Sequence, residues 1–143
     1  MSLTVAIASD HAGFALKEYI REKFAYMPVT WLDLGTYSPD RVDYPDFGHK
    51  LAQAVASGQV SWGVAICGSG IGISIACNRH AGVRAALCTD ARMAELARAH
   101  NDANVLCLGE RLTPPEQALD MIKVFLTSAF EGGRHIARIE KLG

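Results

Sequence analysis

Short apolar runs rich in β-branched residues alternate with segments of helical periodicity, and this alternation constrains the fold more than any other feature. The runs that predict strands are LTVAIA (3–8), VTWLDL (29–34), WGVAIC (62–67), VRAALC (83–88) and NVLCLG (104–109). Strands that alternate with helices form parallel sheets, because each helix carries the chain back to start the next strand. The sequence therefore predicts an α/β fold, a Rossmann-like, doubly wound αβα sandwich with a five-stranded parallel sheet.

Helical periodicity follows each predicted strand. In the first helix Leu16, Ile20 and Phe24 share a face, and in the second Leu51, Ala54 and Val55 do. The later helices are expected from the glycine-rich stretch after Cys67 through Ala76, from Asp90 to near His100, and from Pro114-Pro115 to about Phe130. One long polar loop, running through Tyr44 and Pro45, is expected before the second helix.

Length and composition indicate one folded domain. The chain has 143 residues, of which half are hydrophobic and a fifth are charged. This size buries enough surface for one core and is too small for two. We expect a single domain over residues 1–143, in which residues 131–143 form a basic C-terminal segment that packs at a dimer interface.

Charge and cysteine spacing exclude several classes of protein. The formal net charge of −1 leaves no positive field to attract nucleic acid or an anionic membrane. The N-terminal apolar run stops at Asp10, far short of the roughly 20 residues of a membrane span. The four cysteines lack CxxC spacing, which favours neither a disulfide framework nor a zinc site. We expect a cytoplasmic protein that binds neither nucleic acid nor membrane and holds no metal.

Polar and glycine-rich sequence follows the first and third predicted strands. Ser9-Asp10-His11 follows the first, and CGSGIGIS, from Cys67 to Ser74, follows the third. Ligands of open parallel sheets bind outside the carboxyl ends of the strands. Alternating glycines let backbone amides approach a ligand closely, and the start of a helix adds unpaired N–H groups. These two segments predict an anion site.

Three familiar loop signatures do not fit this segment. The dinucleotide fingerprint GxGxxG requires a glycine where Ile73 stands, and the Walker pattern requires a lysine that the loop lacks. A cysteine phosphatase would need an arginine at the position of Ile73. Neither nucleotide binding nor phosphatase chemistry is therefore favoured.

Cys67 stands where a predicted strand ends and a predicted helix is about to begin. The helix dipole and the loop amides favour the thiolate there, and a thiolate can act as a base. Alternatively, Cys67 is a small core residue like Cys77, Cys88 and Cys107. Ser69 can donate a proton or hydrogen bond to a developing oxyanion, or it can cap the helix, and the two roles are compatible.

Five motifs occur in order along essentially the whole chain: SDHAGF, DYPD, CGSGIGIS, HNDANVL and EGGRHIARI. Together they resemble the ribose-5-phosphate isomerase B family. The resemblance implies an aldose-ketose isomerase that acts on a phosphorylated sugar without metal or cofactor. Some members of that family carry a glutamate at the position of Ile73 and use it as the base. Here that position is apolar, which leaves the thiolate of Cys67.

The resemblance also implies the roles of individual residues. Cys67 would abstract the proton at C2 of the open-chain sugar, Ser69 would assist proton transfer at the oxygens, and His100 would open the sugar ring. The loop amides would hold the enediolate. His11, Arg134 and Arg138 would bind the phosphate. The implied substrate-binding set consists of Asp10, His11, Tyr44, Gly68, Gly70, Ile71, Gly72, Asn101, Arg111, Arg134 and Arg138.

Topology separates His100 from Cys67. The helix after the fourth strand starts at the carboxyl edge of the sheet and must end at the opposite edge, far from Cys67. His100 and Asn101 are therefore expected to complete a neighbour's site in a homodimer with shared active sites, with a tetramer left open. Taken alone, His100 would be typical of a solvated helix C-terminus.

Two further pairs of residues also have simpler structural interpretations. Arg134 and Arg138 share a face if their segment is helical, and they can then grip one phosphate. The same spacing is typical of a solvated basic face, and the subunit whose phosphate they meet is left open. Asp10 and His11 are equally typical of a turn with a helix cap.

The identity of the sugar remains open at this level. Ribose 5-phosphate, interconverted with ribulose 5-phosphate, is the expected substrate, with allose 6-phosphate, galactose 6-phosphate and four-carbon phosphates as alternatives. The loop from Thr36 to Asp46 is expected to set the depth of the pocket. A sensor of sugar phosphates is a different class of function that would use the loop for binding only. Replacing Cys67 by alanine would leave a sensor intact.

Overall fold

A computed structural model describes residues 3–143, which contain one five-stranded parallel sheet in the order β2-β1-β3-β5-β4. The strands are β1 (Leu3–Ser9), β2 (Val29–Asp33), β3 (Trp62–Cys67), β4 (Ala85–Leu87) and β5 (Val105–Gly109). The helices are α1 (Phe14–Lys23), α2 (Tyr44–Ala56), α3 (Ile71–Cys77), α4 (Ala91–Asn101), α5 (Pro115–Thr127) and α6 (Arg134–Glu140). The predicted doubly wound sandwich is confirmed. No helix within residues 3–143 is long and apolar enough to span a membrane.

Helices cover both faces of the sheet. Helices α1, α4 and α5 pack on one face, where Ile7 and Ile66 point toward Phe125. Helices α2 and α3 pack on the other face, where the strands contribute smaller residues such as Ala8 and Ala65. All five of these side chains have no exposed surface. Both faces of the central strands are thus buried, which is why these strands are apolar throughout instead of alternating with polar residues.

Several element boundaries differ from the sequence predictions. Strand β4 has three residues instead of the predicted six, because it is an edge strand that pairs only with β5 within the described residues. Helix α2 begins at Tyr44, so the polar loop ends at Asp43 and Pro45 lies in the first helical turn, where a missing N–H costs nothing. Helix α5 ends at Thr127, before the predicted Phe130.

The order of the strands creates a crevice between β1 and β3. From β1 the chain passes through α1 to β2 on one side, and from β3 it passes through α3 toward β4 on the other side. Because α1 and α3 lie on opposite faces of the sheet, the carboxyl ends of β1 and β3 are left uncovered between them. Such a switch point is where open α/β sheets bind ligands.

An ion pair that the sequence analysis did not predict ties α1 to β2. The ammonium group of Lys17 is fully buried and donates hydrogen bonds at 2.9 Å to both carboxylate oxygens of Asp33. It also lies 5.4 Å from the ring centroid of Phe14 and 5.8 Å from that of Tyr37. The ion pair therefore attaches α1 to β2, the edge strand of the sheet.

Candidate active site

A cavity of about 270 Å³ opens at the carboxyl edge of the sheet, where β1 and β3 end. It is lined by Asp10, His11, Ala12, Tyr44, Cys67, Gly68, Ser69, Gly72 and Arg111. Apart from Ala12, all of these residues belong to the predicted site. The fold therefore brings together side chains from four separate segments of the chain around the cysteine.

Cys67 is the last residue of β3, is 4% exposed, and is the one cysteine of residues 3–143 that lines this cavity. The amide N–H of Gly70 donates a hydrogen bond to the sulfur at 3.2 Å. Gly70 can turn the loop back under the sulfur because it adopts a φ of 77°, in the left-handed region that favours glycine. A donor aimed at the sulfur complements negative charge on it.

The other three cysteines are core residues. Cys77, Cys88 and Cys107 are at most 1% exposed, and none of them lines the cavity at Cys67. Burial, with a further contribution from Asp90, raises the pKa of Cys88 to about 12. The pKa of Cys107 is also raised, first by its hydrogen bond with Cys77 and then by burial. Cys88 and Cys107 therefore stay protonated at neutral pH, and all three cysteines serve as small apolar side chains in the core.

Ser69 contacts the first turn of α3, although it is not the N-cap residue, which is Gly70. Its hydroxyl oxygen accepts a hydrogen bond at 3.2 Å from the N–H of Ile71, the first residue of α3. The hydroxyl hydrogen is not needed for this contact and can be donated into the cavity. Ile71 itself does not line the cavity and is 51% exposed, so its side chain is not part of this site.

Asp10 combines a structural contact with a place in the cavity. It is only 6% exposed, and its Oδ1 accepts a hydrogen bond at 3.0 Å from the N–H of Gly13, as predicted for a cap. A Cβ atom at Gly13 would lie 2.8 Å from the carbonyl oxygen of Ile66, so the turn fits against β3 only with glycine. The cap holds the carboxylate of Asp10 rigidly at the edge of the cavity.

His11 is oriented by the loop that follows β2. Its Nδ1 lies 3.1 Å from the carbonyl oxygen of Val42 and 3.2 Å from the amide nitrogen of Val42. Because Nδ1 is engaged by the backbone, Nε2 is the nitrogen left for a ligand. When Nδ1 accepts from the amide of Val42, Nε2 carries the proton and can donate to an anion.

Arg111 and Tyr44 form two walls of the cavity. A Cβ atom at Gly68 would lie 2.9 Å from a guanidinium nitrogen of Arg111, and one at Gly72 would lie 2.6 Å from the ring of Tyr44. The glycines are therefore what allows both side chains to approach the loop. The described residues offer Arg111 no carboxylate within salt-bridge distance, so its charge is available to a ligand.

His100 and Asn101 lie at the opposite edge of the sheet, as the topology predicts. The carbonyl of Asn101 accepts a hydrogen bond at 3.2 Å from Arg84, which directly precedes β4. Asn101 also lines a larger cavity of about 690 Å³ with residues 78–86 and the C-terminal Gly143. The length of a five-residue strand, on the order of 15 Å, separates this edge from Cys67.

The C-terminal segment lies beside His100. Arg134 and Arg138 both fall on α6, which confirms the helical spacing that would let them share a face. Both are exposed, and neither is paired with a carboxylate in residues 3–143. The ring of His135, between them in sequence, stacks on that of His100 with centroids 4.4 Å apart.

Sequence reasoning did not single out Glu131 and His135. The carboxylate of Glu131 lies 3.8 Å from Nε2 of His100 and 3.6 Å from Nε2 of His135. The signal that could have identified them is their i,i+4 spacing across Gly132-Gly133 in the motif EGGRHIARI. That motif drew attention to its arginines instead. Proximity to His100 depends on packing of α6 against α4, which no local pattern encodes.

Comparison with known proteins agrees with this architecture. A family model described as Ribose/Galactose Isomerase matches residues 5–142. Ribose-5-phosphate isomerase B of Escherichia coli is 44% identical over 138 residues, which cover 96% of this chain and 93% of the relative.

Solved structures of related proteins superpose closely. Ribose-5-phosphate isomerase B of Clostridium thermocellum has a TM-score of 0.93 at 48% identity and covers 99% of this chain and 95% of its own. That of Mycoplasma genitalium, solved with bound ribulose 5-phosphate, has a TM-score of 0.90 at 41% identity, with coverage of 99% and 95%. The protein therefore belongs to the ribose/galactose isomerase family.

Proposed function

We propose that this protein is an aldose-ketose isomerase that interconverts ribose 5-phosphate and ribulose 5-phosphate, with Cys67 as the base. The observation that carries the proposal is the placement of Cys67 at a cavity that is also lined by Asp10, Ser69 and Arg111. A base, a hydroxyl and a cation around one small cavity match the needs of an enediolate reaction. The family and the names of its relatives support the same reaction.

The reaction moves one proton between neighbouring carbons. The thiolate of Cys67 removes the proton from C2 of the open-chain aldose, and the electron pair forms the double bond between C1 and C2 while charge builds on O1. The thiol then returns the proton to C1. The hydroxyl of Ser69 transfers the remaining proton from O2 to O1, so the product carries its carbonyl at C2 and no net oxidation occurs.

Backbone amides of the glycine loop stabilise the charge on the enediolate. The first N–H groups of α3 have no acceptor within the helix, and that of Ile71 is already used by Ser69. The amides of Gly72 and Ile73 are the donors that remain in the first turn. Because α3 has only seven residues, these local donors and not a long helix dipole supply the stabilisation.

The phosphate is held by donor groups from two chains. His11, through Nε2, and Arg111 reach it from the subunit that supplies Cys67. Arg134 and Arg138 reach it from the partner subunit, because within one chain they lie beside His100 at the far edge of the sheet. A clamp on this non-reacting group keeps C2 in register with the sulfur.

We assign a homodimer in which each active site combines Cys67 of one subunit with His100 and Asn101 of the other. Exposed apolar side chains support such an interface, since Ile71 and Ile75 lie one turn apart on α3 and are 51% and 54% exposed. The whole chain acts as one domain, and residues 131–143 pack at the interface. Two-fold symmetry generates two equivalent composite sites.

The thiols favour a reducing compartment. All four cysteines are free, and the proposed base must remain an unoxidised thiolate to function. We therefore assign the enzyme to the cytoplasm.

The proposal is tested by following conversion of ribose 5-phosphate to ribulose 5-phosphate by the purified protein in excess chelator. A panel of four- and six-carbon sugar phosphates is run beside it, because the panel identifies the preferred substrate. Cys67→Ala is expected to abolish turnover, while Cys88→Ala, a matched loss of a thiol from the core, keeps it. A wild type that binds these sugars without converting any of them overturns the proposal in favour of a sensor.

A further inference from the structure

The imidazole rings of His100 and His135 form a stacked pair. Their centroids are 4.4 Å apart and their planes differ by 15°. The His135 side chain is 7% exposed, whereas that of His100 is 37% exposed. One ring is therefore buried against the protein, and the other lies on top of it with an open side.

Glu131 fixes the packing of this pair. Its backbone N–H donates a hydrogen bond at 3.0 Å to the carbonyl of Ala99, which ties the segment before α6 to the last turn of α4. Its carboxylate oxygen lies 3.8 Å and 3.6 Å from the Nε2 atoms of His100 and His135, which is longer than a hydrogen bond. The carboxylate therefore acts as a nearby charge, and the plane of the His100 ring is set by the stack.

The buried ring is suited to serve as a neutral platform. Burial lowers the pKa of His135, the neighbouring Arg134, His100 and Arg138 lower it further, and Glu131 opposes them only in part. A neutral imidazole does not repel a protonated ring stacked on it. The buried ring can therefore support His100 without electrostatic repulsion.

We infer that His135 is a positioning residue for His100, holding the plane in which His100 presents a nitrogen to the ring oxygen of a cyclic sugar. The inference rests on the proposed function. Opening the ring of ribose 5-phosphate breaks the bond between C1 and O4. O4 takes a proton from the imidazolium of His100, the C1 hydroxyl releases its proton to water as the aldehyde forms, and His100 regains a proton from solvent. This transfer requires His100 to keep a narrow range of orientations.

A metal centre is the alternative for these three side chains. Their ligand atoms lie within 4.8 Å of one another. However, the lone pairs of imidazole lie in the ring plane, and two nearly parallel planes 4.4 Å apart cannot both direct lone pairs at one ion. The stack is thus an arrangement for orientation and not for coordination.

The test compares a substrate that needs ring opening with one that does not. Ribose 5-phosphate is a ring in solution, whereas ribulose 5-phosphate, whose O5 is esterified, closes no five-membered ring. In deuterated buffer, loss of the C1 hydrogen signal of ribulose 5-phosphate by NMR reports proton abstraction whether the intermediate proceeds to aldose or returns with deuterium. Both assays run in excess chelator.

His135→Ala is expected to lower kcat for ribose 5-phosphate by about 10- to 100-fold, because orientation of His100 is lost. KM for ribose 5-phosphate and loss of the ketose hydrogen are expected to stay within about threefold of wild type. His135→Phe keeps a flat ring and is expected to restore most of the lost rate. His49→Ala, which removes one histidine from the His49–His80 pair outside the site, serves as the matched control.

When the wild type is active, three outcomes would overturn the inference. An equal loss with both sugars would show a structural role, wild-type rates in His135→Ala would show no role, and failure of His135→Phe to improve on His135→Ala would exclude stacking as the cause. The proposed function is judged separately, by turnover of the wild type. A wild type inert toward both sugars overturns the proposed function and this inference together.

Discussion

The amide of Gly70 donates a hydrogen bond to the sulfur of Cys67 at 3.2 Å, and this contact depends on the backbone conformation of one glycine. Gly70 has a φ of 77°. A Cβ atom there would lie 2.9 Å from the carbonyl carbon of Leu108 and 2.6 Å from a methyl group of Leu87. The close packing of Gly70 against the end of β5 therefore fixes the position of its amide beside the sulfur of Cys67.

Gly70→Ala is expected to lower kcat more than about tenfold, because the loop must shift and withdraw its amide from the sulfur. It is also expected to destabilise the fold by about 2–4 kcal/mol, the sum of left-handed strain and a backbone clash. Isomerase kinetics and urea unfolding measure the two effects. Full activity in this variant would show that the amide contact is not needed.

Gly58→Ala provides the matched control for the backbone strain alone. Gly58 has a φ of 80°, nearly that of Gly70, but a Cβ atom there would have no neighbour within 4 Å. We expect a cost of about 1–2 kcal/mol and unchanged kcat. Equal losses of activity in the two variants would mean that strain, and not the contact with Cys67, impairs the enzyme.

Alkylation is expected to label Cys67 alone. At about pH 8 a thiol reacts with iodoacetamide only through its thiolate, and the other three cysteines are at most 1% exposed in the core. Burial and Asp90 raise the pKa of Cys88 to about 12, while Cys77 and burial raise that of Cys107. Peptide mapping by mass spectrometry would show the label, and ribose 5-phosphate should slow it. Labelling of Cys88 at a similar rate would contradict this.

The central strands β1, β3 and β5 could be predicted because they are largely buried on both faces and are therefore continuous apolar runs, whereas the edge strands β2 and β4 are only partly buried. The order in which the strands pair could not be predicted, since the insertion of β5 between β3 and β4 depends on long-range packing. The length of β4 was overestimated because Val83 and Cys88 are apolar and buried but lie outside the strand, which spans only Ala85–Leu87. Of the two, Cys88 still donates its backbone N–H to the carbonyl of Cys107 in β5, at 3.2 Å. An apolar segment of sequence indicates burial, whereas a strand is defined by backbone hydrogen bonds to a neighbouring strand.

The candidate site was predictable where it follows directly from strand ends. Asp10 and Cys67 come just after neighbouring parallel strands, so topology alone brings them together. Lys17 and Asp33 show the opposite case, because a lysine on a helix gives no local sign that it will be fully buried. His135 is similar, since its importance arises from a tertiary contact with His100.

Asp33→Ala is expected to destabilise the fold by about 3–5 kcal/mol, because the buried ammonium of Lys17 loses both of its 2.9 Å hydrogen bonds to carboxylate and keeps only the more distant, partly exposed Glu18 at 3.7 Å. Replacing both residues, as in Lys17→Met with Asp33→Ala, should cost less than Asp33→Ala alone. Urea unfolding of the single and double variants measures the difference. Glu22→Ala removes an exposed partner of Lys23 and should cost less than about 1 kcal/mol. A similar cost for Asp33→Ala would contradict the argument.

His135 is expected to make folding stability depend on pH. Its pKa in the folded protein is lowered below 6.5, chiefly by burial and then by Arg134, His100 and Arg138 against the opposing Glu131. As pH falls below about 6.5, the unfolded chain takes up a proton that the folded chain still excludes, so stability decreases. The contribution of His135 to folding stability is therefore fully present above this pH and is lost as the pH falls below it. Urea midpoints of His135→Phe should decline less steeply with acid, and parallel curves would refute the assignment.

Cys67 and His100 lie at opposite edges of the sheet, so two inactive variants are expected to restore each other. A heterodimer of Cys67→Ala and His100→Ala has one site in which both residues are intact. Random pairing makes about half of the dimers mixed, which predicts about a quarter of wild-type activity from the co-refolded pair. The activity is measured against each variant refolded alone.

The matched control pairs Cys67→Ala with Arg111→Ala, two residues that line the same cavity of one chain. Every site of that heterodimer lacks one of the two, so mixing should restore nothing. If the pair Cys67→Ala and His100→Ala also gains no activity over its separate components, the two residues do not meet across subunits. In that case the assignment of a composite site is wrong, and His100 is a solvated residue at the C-terminal end of α4.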